Sequence, residues 1–276
     1  MCIKPGPAVP EMSAQPWATA PTAALVALRG VFTDIDDTLT RDGAIEPAAL
    51  RALHDLHAAG VPVIAITGRP LGWSAPFAQT WPVAAIVAEN GAVALVRDAE
   101  RVVTEYAQDA GTRARNAERL AAVAARVLRE VPGATLARDS AGRVTDIAID
   151  HGEFAHLDDA AIERVVALMR SEGMSATVSS IHVNGWFGAH DKLSGARWMV
   201  RRLYGHTLDA ERNRWVYVGD STNDQTMFGF FPLSVGVANL RDFASQLHTW
   251  PAFITEHARG EGFAEVAARV LAARGR

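Results

Sequence analysis

Residues 30–40, Gly30-Val31-Phe32-Thr33-Asp34-Ile35-Asp36-Asp37-Thr38-Leu39-Thr40, decide how this chain is read. A short apolar run ends in three aspartates, which predicts a buried strand over 30–35 with acid at its carboxyl end. The arrangement recurs twice. Residues 61–66 (Val-Pro-Val-Ile-Ala-Ile) run into Thr67-Gly68-Arg69-Pro70, and residues 214–219 (Arg-Trp-Val-Tyr-Val-Gly) run into Asp220-Ser221-Thr222-Asn223-Asp224. In open α/β sheets, ligands bind beyond the carboxyl ends of the strands, at a topological switch point. All three polar clusters fall where that rule puts a site.

Outward from these strands, helix and strand signals alternate. A helix is predicted over 47–59, with Pro47 in its first turn, Leu50, Leu53 and Leu56 on one face, and Gly60 as its cap. A strand at 83–88 is followed by an Asn90-Gly91 turn and a return strand at 92–96. The rhythm then changes: strands at 101–106 and 143–150, helices at 112–131 and 158–172, and short strands at 174–179 and 181–184 read as a separate α+β module. The first pattern resumes with helices at 192–204, 223–230 and 261–273 and strands at 233–237 and 252–255. The fold class is therefore α/β: a Rossmann-like core with a parallel sheet (25–96 and 189–276), interrupted by an inserted α+β cap (97–188). Residues 1–24, with four prolines in the first twenty, are expected to form a flexible tail.

The 276 residues carry 27 Lys and Arg against 31 Asp and Glu, a net charge of -4, which gives no support for a nucleic-acid or membrane-surface partner. Cys2 is the single cysteine, so neither an internal disulfide nor a cysteine metal site can form. This fits a reducing cytoplasm. The first residues lack the pattern of a signal peptide, and there is no apolar run of about 18 residues. The expected state is a monomer or small homo-oligomer.

Carboxylates crowded together repel, and a bound divalent cation resolves the conflict. Oxygen ligands without a nearby His or Cys cluster suit Mg2+. A cation beside a carboxylate lets an anionic phosphate approach, which permits attack and an aspartyl phosphate. A second carboxylate then serves as acid and base, Asp36 if the chain bends as it leaves the strand, with Asp37 as the competing choice. The Thr67 hydroxyl and the amides of the turn at Gly68 and Arg69 can hold phosphate oxygens. Lys192 supplies the cation and has no competitor, because 171–213 contains no other lysine.

Asp-Ile-Asp-Asp-Thr-Leu, a strand ending in Thr67, then Lys192, then Gly-Asp-Ser-Thr-Asn-Asp resemble the four ordered motifs of the haloacid dehalogenase (HAD) superfamily, across about 30–95 and 190–270. The resemblance implies that Asp34 is nucleophile and metal ligand. It implies that Asp36 is the acid/base, with its carbonyl on the metal, and that Thr67 and Lys192 bind phosphate. Asp220 matches a metal ligand, Asp224 a position that supports the metal or orients the lysine, and Asn223 one that reaches phosphate or substrate. The large insertion, with Thr-Gly-Arg-Pro, Glu-Asn-Gly-Ala and Gly260-Glu261-Gly262-Phe263, is similar to the type IIB capped group of Cof-like, sucrose-phosphate and mannosyl-3-phosphoglycerate phosphatases. The function implied is a magnesium-dependent phosphatase of a small monoester such as a sugar phosphate. The alternatives are a phosphomutase, which shares these core motifs, a receiver-like signalling protein, which Asp36 and the cap argue against, and a silent binding protein, for which no catalytic residue is missing. Arg69 is left between substrate contact and solvent. His182, Asn184, Trp186 and His190 lie where the cap returns to the core, with Trp186 open either to stacking on a sugar or to hinge packing.

Overall fold

The computed structural model describes residues 14–99 and 101–275. Its principal sheet runs, edge to edge, Gln15–Pro16, Phe253–Ile254, Leu233–Gly236, Trp215–Gly219, Gly30–Thr33, Val63–Ile66, Ala85–Ala88, Val93–Asp98 and Arg101–Tyr106. The first seven pair in parallel, and the last two fold back antiparallel. Alternation along each strand divides the core. Val31, Val63, Val216 and Val218 face Leu53, Leu56, Phe263 and Val266 from the helices Pro47–Ala58 and Arg259–Ala273. Phe32, Ile64, Trp215 and Tyr217 face Met199 and Val200 from the helix Lys192–Tyr204. Gly30-Thr33 lies centrally between Trp215–Gly219 and Val63–Ile66, so the three acid- or Thr-bearing strand ends are adjacent.

The cap is a four-stranded antiparallel sheet, in the order Ser175–Val178, His182–Trp186, Asp146–Asp150, Thr135–Leu136. The helices Ala110–Glu130 and Asp159–Ser171 pack on it through Leu120, Val123, Val127, Val165 and Met169 against Ile149 and Val183. Two boundaries differ from expectation. The strands Val93–Asp98 and Arg101–Tyr106 form a tight hairpin that extends the core sheet, so the cap begins after it and not at 97. Hydrophobic pattern identifies a strand but not the sheet it joins. Of the expected tail, 1–13 and Cys2 lie outside the described residues, whereas 14–24 are seated. Gln15 donates to the Ala252 carbonyl (2.9 Å), Trp17 is fully buried edge-on to Phe253, and Arg269 donates to the Ala20 carbonyl.

Glu89 fastens cap to core. It follows the strand Ala85–Ala88 with a left-handed backbone (φ 49°), and it is fully buried. Its carboxylate accepts from the amides of Leu71 (3.1 Å), Val144 (3.1 Å) and Thr145 (2.6 Å) and from the Thr145 hydroxyl (2.5 Å). Removing it strands three backbone donors, each costing about 1–3 kcal/mol. Glu89→Ala is expected to lose about 3 kcal/mol or more in denaturant unfolding, far beyond an ordinary surface substitution.

Candidate active site

The chain leaves the strand Gly30–Thr33 through a tight turn in which the Ile35 carbonyl accepts from the amides of Thr38, Leu39 and Thr40, and Asp37 adopts φ 50°. This turn separates the three aspartates. Asp34 stays buried at the strand end, its amide held by the Val218 carbonyl (2.9 Å). Asp36 meets Arg69, whose Nε donates to both carboxylate oxygens (2.9 and 3.1 Å). Asp37 meets Arg259 (2.7 Å), and its carbonyl accepts from Asn239 (3.0 Å).

Around Asp34 the structure brings together most of the residues singled out in the sequence. Lys192, buried at the start of its helix, places Nζ 3.1 Å from Asp34 Oδ2, 2.7 Å from Asp224 Oδ1 and 3.2 Å from Asn223 Oδ1. One carboxylate oxygen from each of Asp34, Asp220 and Asp224 lies within 4.8 Å of the other two. Asp224 is saturated: Oδ1 accepts from Lys192 and the Tyr217 hydroxyl, and Oδ2 from the amides of Asp220 (2.9 Å) and Ser221 (3.2 Å). Asp220 is not: Oδ1 accepts from Thr38 (3.2 Å), while Oδ2 is buried with no hydrogen-bond partner among the described residues. Burial pushes the Asp34 carboxyl up to about 7, Lys192 pulling against it and Asp224 and Asp36 adding to it. Burial, then Asp34 and Asp224, raise the Asp220 carboxyl well above its ordinary value. Burial works against the Lys192 ammonium, but Asp224 and Asp34 outweigh it and its pKa lies above the ordinary value.

Thr67, fully buried, ends the strand beside Asp34, and its hydroxyl accepts from the Arg69 amide (3.0 Å). The Gly68 carbonyl accepts from Arg143 (3.0 Å) and Asn184 (3.3 Å) of the cap, and a Cβ on Gly68 would sit 3.1 Å from Asn184. Arg69 does not face solvent. It is 3% exposed and bridges Asp36 to the cap residues Asp139 (3.1 Å) and Glu153 (2.7 Å). Glu153 also meets His182 (3.0 Å); burial opposes its charge, but His182 and Arg69 hold it down to about 2. Trp186 is packed rather than open for stacking: it is buried, donates to the His190 carbonyl (2.9 Å) and stacks on the His190 ring.

Sequence reasoning missed Tyr217 and Glu89. Tyr217 reads as an ordinary core position, yet alternation along Trp215–Gly219 turns it with Trp215 toward the Lys192 helix, which is the available signal.

Residues 31–113 match the haloacid dehalogenase-like hydrolase family. Similar folds include a Thermoplasma acidophilum protein (TM-score 0.68, 16% identity, covering 88% of this chain and 98% of that one). A haloacid dehalogenase-like hydrolase from Bacteroides thetaiotaomicron is also similar (0.61, 16%, 88% and 99%). So is the sucrose-phosphatase of Synechocystis, solved with sucrose and phosphate (0.62, 13%, 88% and 98%). No curated protein sequence matches. The family match is confined to residues 31–113, and across 88% of the chain the fold is similar to those of the three solved structures.

Proposed function

We propose that the protein is a magnesium-dependent phosphatase that hydrolyses a small phosphate monoester, a sugar phosphate, through an aspartyl phosphate on Asp34. The observation that carries this reading is the buried set of Asp34, Lys192, Asp220 and Asp224 at the carboxyl ends of adjacent parallel strands. The sucrose-phosphatase and trehalose-6-phosphate phosphatase-related folds among similar structures support the choice of substrate class, as a likeness of fold.

The donor set fits a hard divalent cation. The ligands are carboxylates, two carry pKa values raised first by burial and then by neighbouring carboxylates, and Asp220 Oδ2 is a buried acceptor without a donor among the described residues. Asp34 and Asp220 would hold the ion, and Asp224, with its oxygens engaged, would orient Lys192. Bound there, magnesium supplies the charge that lets a phosphate dianion approach Asp34.

The chain's own residues do the rest. An Asp34 oxygen attacks phosphorus, forming one P–O bond as the bond to the leaving oxygen breaks. Asp36, its carboxyl raised by burial against the pull of Arg69, gives that oxygen its proton. Asp36 then takes a proton from water as the water oxygen attacks phosphorus and the P–O bond to Asp34 breaks, which releases phosphate and restores the Asp34 carboxylate. Thr67, Lys192, Asn223 and the amide of Gly68 hold the phosphate oxygens, whereas the Arg69 amide, expected to join them, is spent on the Thr67 hydroxyl. No described helix is long and apolar enough to cross a membrane.

The test is phosphate release from a panel of phosphorylated metabolites with and without magnesium. Magnesium-dependent release supports the reading; release undiminished by chelation contradicts it. A second prediction concerns stability. Asp34 keeps in the fold a proton that the unfolded chain has released between its usual 3.8 and about 7. Metal-free protein is therefore expected to lose up to a few kcal/mol as pH rises through that window, with no further loss from this group above it. Near neutral pH, magnesium is expected to raise the melting temperature, and Asp220→Asn to remove most of that increment. A wild-type melt indifferent to magnesium would refute the metal site.

A further inference from the structure

Between the cap and the Asp36 side of the core lies a cavity of about 270 Å³. Four carboxylates line it, Asp36, Asp37, Asp42 and Glu153, against two guanidiniums, Arg69 and Arg259. Arg69 is shared among Asp36, Asp139 and Glu153, and Arg259 donates its Nε to Asp37 (2.7 Å). Asp42 stands exposed at the rim in a left-handed turn (φ 52°) of the hairpin between Thr40–Arg41 and Ala44–Ile45. Glu153 comes from the cap, its side chain 18% exposed, and stays ionised between Arg69 and His182. With Asp36 protonated as the acid, the three carboxylates of Asp37, Asp42 and Glu153 still stand against two guanidiniums, so the lining carries surplus negative charge before any ligand arrives. Like charges brought together in a partly desolvated cleft are strongly disfavoured. The volume lies below the ~300–1,000 Å³ of sites for drug-sized ligands, so the group accommodated is small.

Resting on the reading of Asp34 as nucleophile and Asp36 as acid, we infer that this cavity selects the leaving group by charge. It admits a neutral or cationic group of about one sugar ring and turns away phosphate esters that bear a second anionic group, with Glu153 and Asp42 imposing the selection. Phosphoglycerates, sugar bisphosphates and nucleotides are thereby poor substrates, and amino-sugar phosphates are accepted at least as well as their hydroxyl counterparts.

The experiment compares kcat/KM for glycerol phosphate and phosphoglycerate, which differ in a hydroxymethyl against a carboxylate, and for glucosamine phosphate and glucose phosphate. The neutral member of the first pair is expected to be preferred by about tenfold or more, a difference of about 1.4 kcal/mol. Raising ionic strength should narrow that ratio, as screening requires and a purely steric pocket would not show. Glu153→Gln and Asp42→Asn should each narrow it several-fold. Asp42→Asn keeps a residue tolerant of the left-handed turn, so it reports even if Glu153→Gln disturbs the cap. Equal rates for the first pair, or a ratio unmoved by salt and by both variants, would overturn the inference while leaving the phosphatase reading intact. No release from any ester, p-nitrophenyl phosphate included, would overturn that reading and this inference with it.

Discussion

Asp34→Asn is expected to lower phosphate release by roughly 10⁴-fold or more, since loss of a nucleophile removes the covalent route altogether. The amide keeps the shape of the carboxylate but can neither attack phosphorus nor carry the negative charge that a cation needs. The fold should not suffer. Asp34 is a buried acid whose charged form is disfavoured by burial and by Asp224 and Asp36, so a neutral side chain relieves a conflict even though Lys192 loses one of its two carboxylate partners. In metal-free buffer near neutral pH the variant should melt at or above the wild-type temperature. Inactivity with retained or increased stability is the signature of a catalytic residue; inactivity with a large loss of stability would mean that Asp34 serves mainly the fold.

Asp36→Asn is expected to cost about 10²–10⁴-fold with an alkyl phosphate, the usual span for a general acid–base. The second half of the prediction separates its two roles. A p-nitrophenolate leaving group needs no proton, so attack by Asp34 should survive while water activation fails. A burst of nitrophenol followed by slow turnover is then expected, with phosphate retained on the protein. The pairing of Asp36 with Arg69, while Asp34 pairs with Lys192, accords with this division of labour. Equal losses for both substrates without a burst would move the acid–base role to Asp37, whose Arg259 pairing leaves it at the cavity wall.

The parallel strands and the cluster they carry were legible because alternating and continuous apolar runs end in polar residues whose chemistry fits together. Asp34, Asp220, Asp224, Lys192 and Asn223 lie together in the structure, from strand ends and a helix start far apart in sequence. What escaped depends on partners that spacing does not reveal. The helix Leu71–Thr80 contains Gly72 and Pro76, which speak against a helix, and it is carried by tertiary packing, with Trp73, Phe77 and Trp81 in ring contact. Glu89 sits in a Glu-Asn-Gly turn, and nothing local indicates that it accepts hydrogen bonds from Val144 and Thr145 of the cap. Arg69 looked undecided because its three carboxylate partners come from the core turn and two separate cap loops. Trp17 shows the reverse: a proline-rich segment reads as a tail, yet one aromatic ring against Phe253 helps to seat it.

The central claim is that phosphate passes through Asp34. It is tested by acid-quenching Asp36→Asn protein during turnover of p-nitrophenyl phosphate and mapping the protein-bound phosphate by mass spectrometry. A phosphate adduct confined to the peptide carrying Asp34, and absent from the Asp34→Asn, Asp36→Asn double variant, is the predicted result. Turnover without an adduct, or an adduct on another residue, would contradict the account.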